Sequence, residues 1–219
     1  MSRGARGFAT KAKVNVRRRR KPRAKKPVVL PLTGVGIRVL SLDSSSKACG
    51  WAVFDDGQLV EYGRYNQVGD SHEERLSRFH TWLLEMFAQW KPTRVIYELP
   101  YQGRMKNTFG VLSKYIGVIE AAYWTHFQAP VPPEDAFAAR LVKKTIGAQK
   151  GKDHEANKRI VLLLVNQKFS LSLKFKANDT KKKVSQDDEA DAIALNWAWH
   201  LLYYEGFDGR ERGFESSSS

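Results

Sequence analysis

Cysteine is nearly absent from this 219-residue chain, with Cys49 standing alone. A single thiol excludes an internal disulfide framework and a cysteine-based zinc site, and it fits a reducing interior compartment. Cys49 itself reads as a small buried residue rather than a nucleophile. No run approaches the roughly 20 apolar residues that a membrane span needs. The N-terminus has no apolar segment of the kind that directs secretion. Strand–helix junctions lack a Gly-rich phosphate loop, which disfavours a doubly wound nucleotide binder. Internal repeats are also missing. Residues 1–38 hold no acid at all, yet they carry 13 Lys/Arg.

That last absence explains most of the net charge of +14. The other 24 Lys/Arg face all 23 acids, so the basicity belongs to the N-terminal stretch and above all to RRRRKPRAKK. Such a segment is self-repelling and reads as a disordered tail over residues 1–36, suited to a polyanion such as nucleic acid. A targeting peptide is the plainer alternative. A second basic stretch, 140–183, holds 13 Lys/Arg against three acids. With 42% apolar residues, the body is long enough for one buried domain, expected over 37–204 and followed by a disordered tail at 205–219.

Hydrophobic periodicity orders this body. Strands are expected at Val39–Asp43, Gly50–Phe54 and 58–65, the last two joined by the hairpin signal Asp-Asp-Gly at 55–57. Ser71 opens a capped helix whose apolar positions are Leu76, Phe79, Leu83, Met86 and Phe87. RVIYELP at 94–100 is a further strand. Helices are then expected over 108–127, from Ala136 to Lys144, over 153–169 and over 188–204. The 108–127 helix buries Val111, Leu112, Tyr115, Val118, Ile119 and Ala122, with Gly117 admitting a close neighbour. Three antiparallel strands first, then a strand and helices, make a mixed α/β layer fold.

Two acids fall at the C-terminal ends of strands: Asp43 and Glu98. Charge at such positions is costly unless it is compensated. The stretch QDDEADAIALNWAW supplies more. Asp188 and Asp191 lie three apart, Asp187 and Asp191 four apart, and either pair shares a helix face. Glu189 points elsewhere. Gathered carboxylates repel, and hard oxygen donors select Mg²⁺ or Mn²⁺. Two such ions roughly 4 Å apart serve phosphodiester hydrolysis. Taken singly, each acid is also explained as a turn cap or as complementarity to a helix dipole.

Together these residues resemble the RuvC-type Holliday junction resolvases of the RNase H-like fold. The matching motifs are Asp43, then Gly50, Trp51 and Val53; Glu98 in IYELPY; and Asp188, Asp191, Ala192 and Ile193 in the last helix. The resemblance covers about 37–204 and selects Asp188 over Asp187. The family's Pro-Gly after the first aspartate is replaced by Ser44-Ser45, and the basic N-terminal tail and the Lys-rich loop 174–183 lie outside its pattern.

The resemblance implies an RNase H-like α/β fold with a central mixed sheet, three antiparallel strands first, flanked by helices. It implies an endonuclease that hydrolyses four-way DNA junctions to 5′-phosphate and 3′-hydroxyl ends, with two Mg²⁺ ions held by Asp43, Glu98, Asp188 and Asp191. Lys143 and Lys152 would act on the developing phosphate charge. Tyr101 would stack on a junction base, and Arg104, Lys106 and Lys144 would contact DNA. It also implies a homodimer, part of whose interface falls on the helix carrying Tyr115, Ile119 and Tyr123. A cytoplasmic, nucleoid-associated place in a bacterial or phage-infected cell follows, with organelle targeting by the basic N-terminus as the alternative. The competing readings are another RNase H-like nuclease acting on branched DNA or RNA, and a non-catalytic branched-DNA binder. Four intact acids argue against the last.

Overall fold

Aspartate and glycine at 56–57 both adopt left-handed φ (46° and 78°), which is the two-residue turn whose twist matches a hairpin. They join β2 (Ala48–Asp55) to β3 (Gln58–Asn66), and β2 pairs antiparallel with β1 (Arg38–Ser44). In this computed structural model the described residues are 36–100, 106–148, 154–175 and 185–204. The chain divides after Gly34, and every described residue lies beyond that boundary. The tail 1–36 therefore falls outside the described residues except for Gly36, as does 205–219. None of the described helices is long and apolar enough to cross a membrane.

The β1–β2 turn shows how the two serines replace a Pro-Gly pair. Ser44 stays in the strand opposite Cys49, and Ser45 closes the turn. The Ser45 N–H donates to the Ala48 carbonyl at 2.8 Å, and its hydroxyl accepts the Ala48 N–H at 3.1 Å. A hydroxyl thus does the work of a rigid ring.

Helix α1 (His72–Trp90) starts at Ser71, whose hydroxyl accepts the Glu74 N–H at 3.0 Å. It returns the chain to β4 (Arg94–Leu99), which lies parallel to β1 on the side away from β2. Helix α2 (Lys106–Phe127) begins two residues before the expected 108. A 3-10 turn, Pro133–Asp135, then leads to β5 (Ala136–Ala138), which is parallel to β4. The sheet order is β3-β2-β1-β4-β5. Helices α3 (Ala139–Thr145), α4 (His154–Phe169) and α5 (Asp187–Trp199) follow, and His200–Tyr204 ends the chain's described part as a π-helical turn. This is the mixed sheet flanked by helices that the sequence implied.

Each face of the sheet carries a layer. Val39, Phe54, Ile96 and Phe137 pack with Val142, Val161, Val165, Ile193 and Leu195 under α3, α4 and α5. Phe79, Leu83, Phe87, Tyr115 and Ile119 are buried beneath α1 and α2. Two buried polar contacts fix α5 along β1. The Ser41 hydroxyl donates to the Ala192 carbonyl at 2.8 Å, and the Asn196 amide donates to the Val39 carbonyl at 3.1 Å.

Several expectations are corrected here. The stretch from Ala136 to Lys144 is a strand of three residues followed by a helix, because the chain runs beside Tyr97–Leu99 before it can coil. The last helix is α-helical only to Trp199. Among the described residues, no atom beyond its own stretch of helix lies within 4 Å of where a Gly117 side chain would start, so no described element packs closely there; Gly117 lines an apolar cavity of about 530 Å³ with Leu99, Phe109 and Ile116. Tyr115, Ile119 and Tyr123 are buried in the core and offer no free interface.

The strand β5 is held by an ion pair that the sequence did not announce. Arg94 Nε reaches both oxygens of Asp135, at 2.8 and 2.9 Å, and Asp135 is fully buried. Removing one partner of such a pair strands a buried charge. Arg94→Met should therefore lower the unfolding free energy in urea by about 3 kcal/mol at pH 7, and by less in acid, where Asp135, whose carboxyl burial already pushes above its ordinary value, becomes neutral. A loss under about 1 kcal/mol at pH 7 would mean that the pair is replaceable.

Candidate active site

Strand register brings the first two acids together. Asp43 follows Leu42, which pairs with Tyr97 across the parallel β1–β4 ladder, and Glu98 follows Tyr97. Both carboxylates therefore emerge at the same C-terminal edge of the central strands. On the other side Asp43 pairs with Gly50, and Gly50 pairs with Arg64 on β3. Residues opposite one another in an antiparallel pair share a face. Asp43, Gly50 and Arg64 thus form one row across three strands, directed toward α5.

Gly50 is what lets α5 enter that row. A Cβ at Gly50 would lie 1.9 Å from the Asp188 carbonyl oxygen and 3.1 Å from the Glu189 nitrogen. The first turn of α5 therefore rests on bare backbone, between Asp43 and Arg64. Asp188 and Asp191 are delivered there together, so the four acids selected by sequence converge at one edge of the sheet.

Their electrostatics report the crowding. Burial pushes the Asp43 carboxyl well above the usual carboxylate range, and the charges of Glu98, Asp191 and Asp188 push it further. Glu98 is pushed up to about 7 by burial and by Asp191. Asp191 rises to about 6, mainly through burial, against the pull of Lys158 and Lys143. Asp188 is raised by burial as well, while Arg64 draws it down. Asp43, Glu98 and Asp191 nonetheless keep part of their surface open to solvent.

Asp187 behaves differently. Burial would raise it, but the hydrogen bond from Lys158 wins and holds it below the ordinary value. Lys158 on α4 thereby brings a cation to the edge of the cluster, and Asp43, Glu98 and Asp191 all sense it. Asp188 is engaged by Arg64, whose Nε lies 3.2 Å from Oδ2. Among the described residues, no ion pair ends on Asp43, Glu98 or Asp191.

Lys143, half-buried on α3, places its charge toward Glu98 and Asp191. Lys144 is exposed beside it. Tyr101, Arg104 and Lys152, and the side chain of Lys106, lie outside the described residues. Glu189, expected to point away from the other acids, is 9% exposed, and its Oε2 has no hydrogen-bond partner among the described residues. Sequence reading also missed Lys158 and Arg64, which no local spacing connects to the acids.

The donor set is entirely oxygen, crowded and only partly offset by Lys158, Lys143 and Arg64. That chemistry fits hard divalent cations. Among the described residues, no three acid, histidine or cysteine side chains already close on a single point as a cage. Asp43, Glu98, Asp188 and Asp191 are the residues that would draw in around an ion.

No family model matches the chain, and no curated protein matches its sequence. Solved structures do match. A Thermus thermophilus RuvC in complex with a Holliday junction substrate superimposes with a TM-score of 0.58 at 18% identity, covering 78% of this chain and 96% of that one. A second Thermus thermophilus RuvC structure gives 0.57 at 18%, covering 78% and 97%. The yeast mitochondrial Holliday junction resolvase Ydc2 gives 0.52 at 14%, covering 78% and 82%. The fold is therefore the RNase H-like α/β fold of these proteins.

The raised carboxyls make a specific demand on stability. In the unfolded chain Glu98 titrates near 4.5, and in the fold near 7. The folded state therefore binds this proton more tightly, and the metal-free protein loses stability as pH rises from about 4 to 7. Glu98→Gln removes that loss. The variant should be more stable than the parent at pH 8 by on the order of 3 kcal/mol without divalent ions, and equal to it near pH 4. Calorimetric melting at both pH values tests this, and a destabilised variant at pH 8 would contradict it.

Proposed function

We propose that this chain is a metal-dependent endonuclease that resolves four-way DNA junctions by paired phosphodiester hydrolysis. The observation that carries the reading is the meeting of Asp43, Glu98, Asp188 and Asp191 at one sheet edge, in the fold of RuvC. A site built only to bind phosphate would not gather four carboxylates beside its ligand.

In this reading Asp43, Glu98, Asp188 and Asp191 hold two Mg²⁺ ions, for which Mn²⁺ substitutes. When bound, such ions supply a lowered water pKa and stabilise charge on a leaving oxygen. The protein's own contribution is placement. Asp43 sits between β2 and β4, where it reaches toward both sides of the cluster. Lys143 approaches Glu98 and Asp191 from α3 and is placed to offset charge on a phosphate docked there. Lys152, outside the described residues, would share that role. Tyr101, three residues beyond Glu98, stacks on a base at the branch point. Arg104, Lys106 and Lys144 hold the backbone of the same strand. The hydrolysis leaves 5′-phosphate and 3′-hydroxyl ends.

Symmetric nicking of a junction needs two such sites, so the active form is a homodimer. With Tyr115, Ile119 and Tyr123 in the core, the partner must be met by other residues. The basic stretch 1–36 adds sequence-independent affinity for DNA.

Two measurements test this. With Mg²⁺, the full chain should make paired nicks in a synthetic four-way junction and leave a linear duplex of equal length intact. Asp43→Asn should keep junction binding and slow cutting on the order of 10³-fold. Equal cutting of both substrates, or no cutting of either, would overturn the resolvase reading, and loss of binding in Asp43→Asn would make that acid structural. Deleting residues 1–36 should weaken junction binding and flatten its dependence on salt. An unchanged slope would assign the stretch to targeting.

A further inference from the structure

We propose that Arg64 is a positioning switch for the metal centre: it holds Asp188 while the site is empty and passes to Glu189 when Asp188 takes up a divalent ion. This rests on the metal-centre reading and deepens it by naming what gates one of the four carboxylates.

The geometry begins with the strand row. Arg64 stands opposite Gly50, and Gly50 lies directly beneath the Asp188 carbonyl. The guanidinium is therefore aimed at the first turn of α5, where Nε reaches Asp188 Oδ2 at 3.2 Å and Nη1 donates to the Ser185 carbonyl at 3.4 Å. A third of the Arg64 side chain is exposed (33%), so it retains room to move. An arginine on a carboxylate and a divalent ion on the same carboxylate compete for the same lone pairs.

Glu189 supplies the second position. It is the next residue on the same helical turn, and it is nine-tenths buried. Its Oε2 has no hydrogen-bond partner among the described residues, which is a costly state for a buried carboxyl. The positive charge of Arg64 already acts on it. A cation leaving Asp188 thus finds an unsatisfied acceptor within the same turn. The exchange keeps the guanidinium paired with a carboxylate in both states and relieves the unpartnered Glu189 oxygen in the second. Without Glu189, the guanidinium keeps the Ser185 carbonyl but has no second carboxylate waiting on this turn, and the ion must displace it from Asp188 outright.

The two side chains should consequently act on metal binding with opposite signs. In Mn²⁺ titrations of the full chain by calorimetry, without DNA, Arg64→Gln should bind Mn²⁺ roughly fivefold more tightly, because the competitor is gone. Glu189→Gln, which preserves shape, should bind roughly fivefold more weakly. In the Arg64→Gln background, Glu189→Gln should have no further effect, since Glu189 acts only through the arginine. Arg64→Lys should restore competition and return affinity toward the parent. The Arg64 Nε–H resonance should also shift between the metal-free protein and the protein saturated with diamagnetic Mg²⁺.

If the parent chain binds no Mn²⁺, the metal centre and the switch fail together. If the parent binds but Arg64→Gln binds equally or more weakly, the switch alone is wrong. An equal effect of Glu189→Gln in both backgrounds would also overturn it, because Glu189 would then act independently of Arg64.

Discussion

The first turn of α5 lies against bare backbone at Gly50, and the rest of the site depends on that contact. Any side chain there would collide with the Asp188 carbonyl. The glycine sits midway in a row with Asp43 on one flank and Arg64 on the other. The helix therefore arrives with an acid on one side and a cation on the other. Ser41 and Asn196 secure the same helix further along by bonding α5 to β1 within the core. Position along the sheet is fixed by the polar pins, and depth by the missing Cβ.

Bringing acids this close creates a conflict between packing and charge. Burial and mutual repulsion raise Asp43, Glu98 and Asp191 together, and the fold supplies only partial relief. Lys158 is committed to Asp187, and Arg64 to Asp188. Asp187 is thus neutralised by protein and Asp188 only in part, and the charge of Asp43, Glu98 and Asp191, with what is left on Asp188, remains for something else. A hard divalent cation is the species whose charge and ligand preference match that remainder.

Much of this was legible in the sequence because the signals are local. Asp43 and Glu98 end apolar runs, and the spacing of Asp188 and Asp191 requires only a helix. The Asp-Gly turn declared its hairpin. The rest depended on long-range register. Extrapolating from the turn, where Asp55 pairs with Gln58, would set Gly50 against Gly63. A bulge between Val53 and Phe54 shifts the ladder by one and sets Gly50 against Arg64 instead. One residue of slip moves a side chain to the opposite face, and a bulge of this kind leaves no clear compositional mark. Arg64 was therefore invisible as a site residue. Lys158 met Asp187 only through the packing of α4 on α5. Strand β5 is three residues long and is set by Arg94 reaching Asp135 across 41 positions.

The central claim is that this row of acids is a two-ion centre. Anomalous scattering from manganese-soaked crystals of the full chain tests it most directly. The account predicts two manganese peaks about 4 Å apart, enclosed by Asp43, Glu98, Asp188 and Asp191. A saturated crystal with no manganese among these carboxylates, or with manganese bound only at other residues, would contradict it.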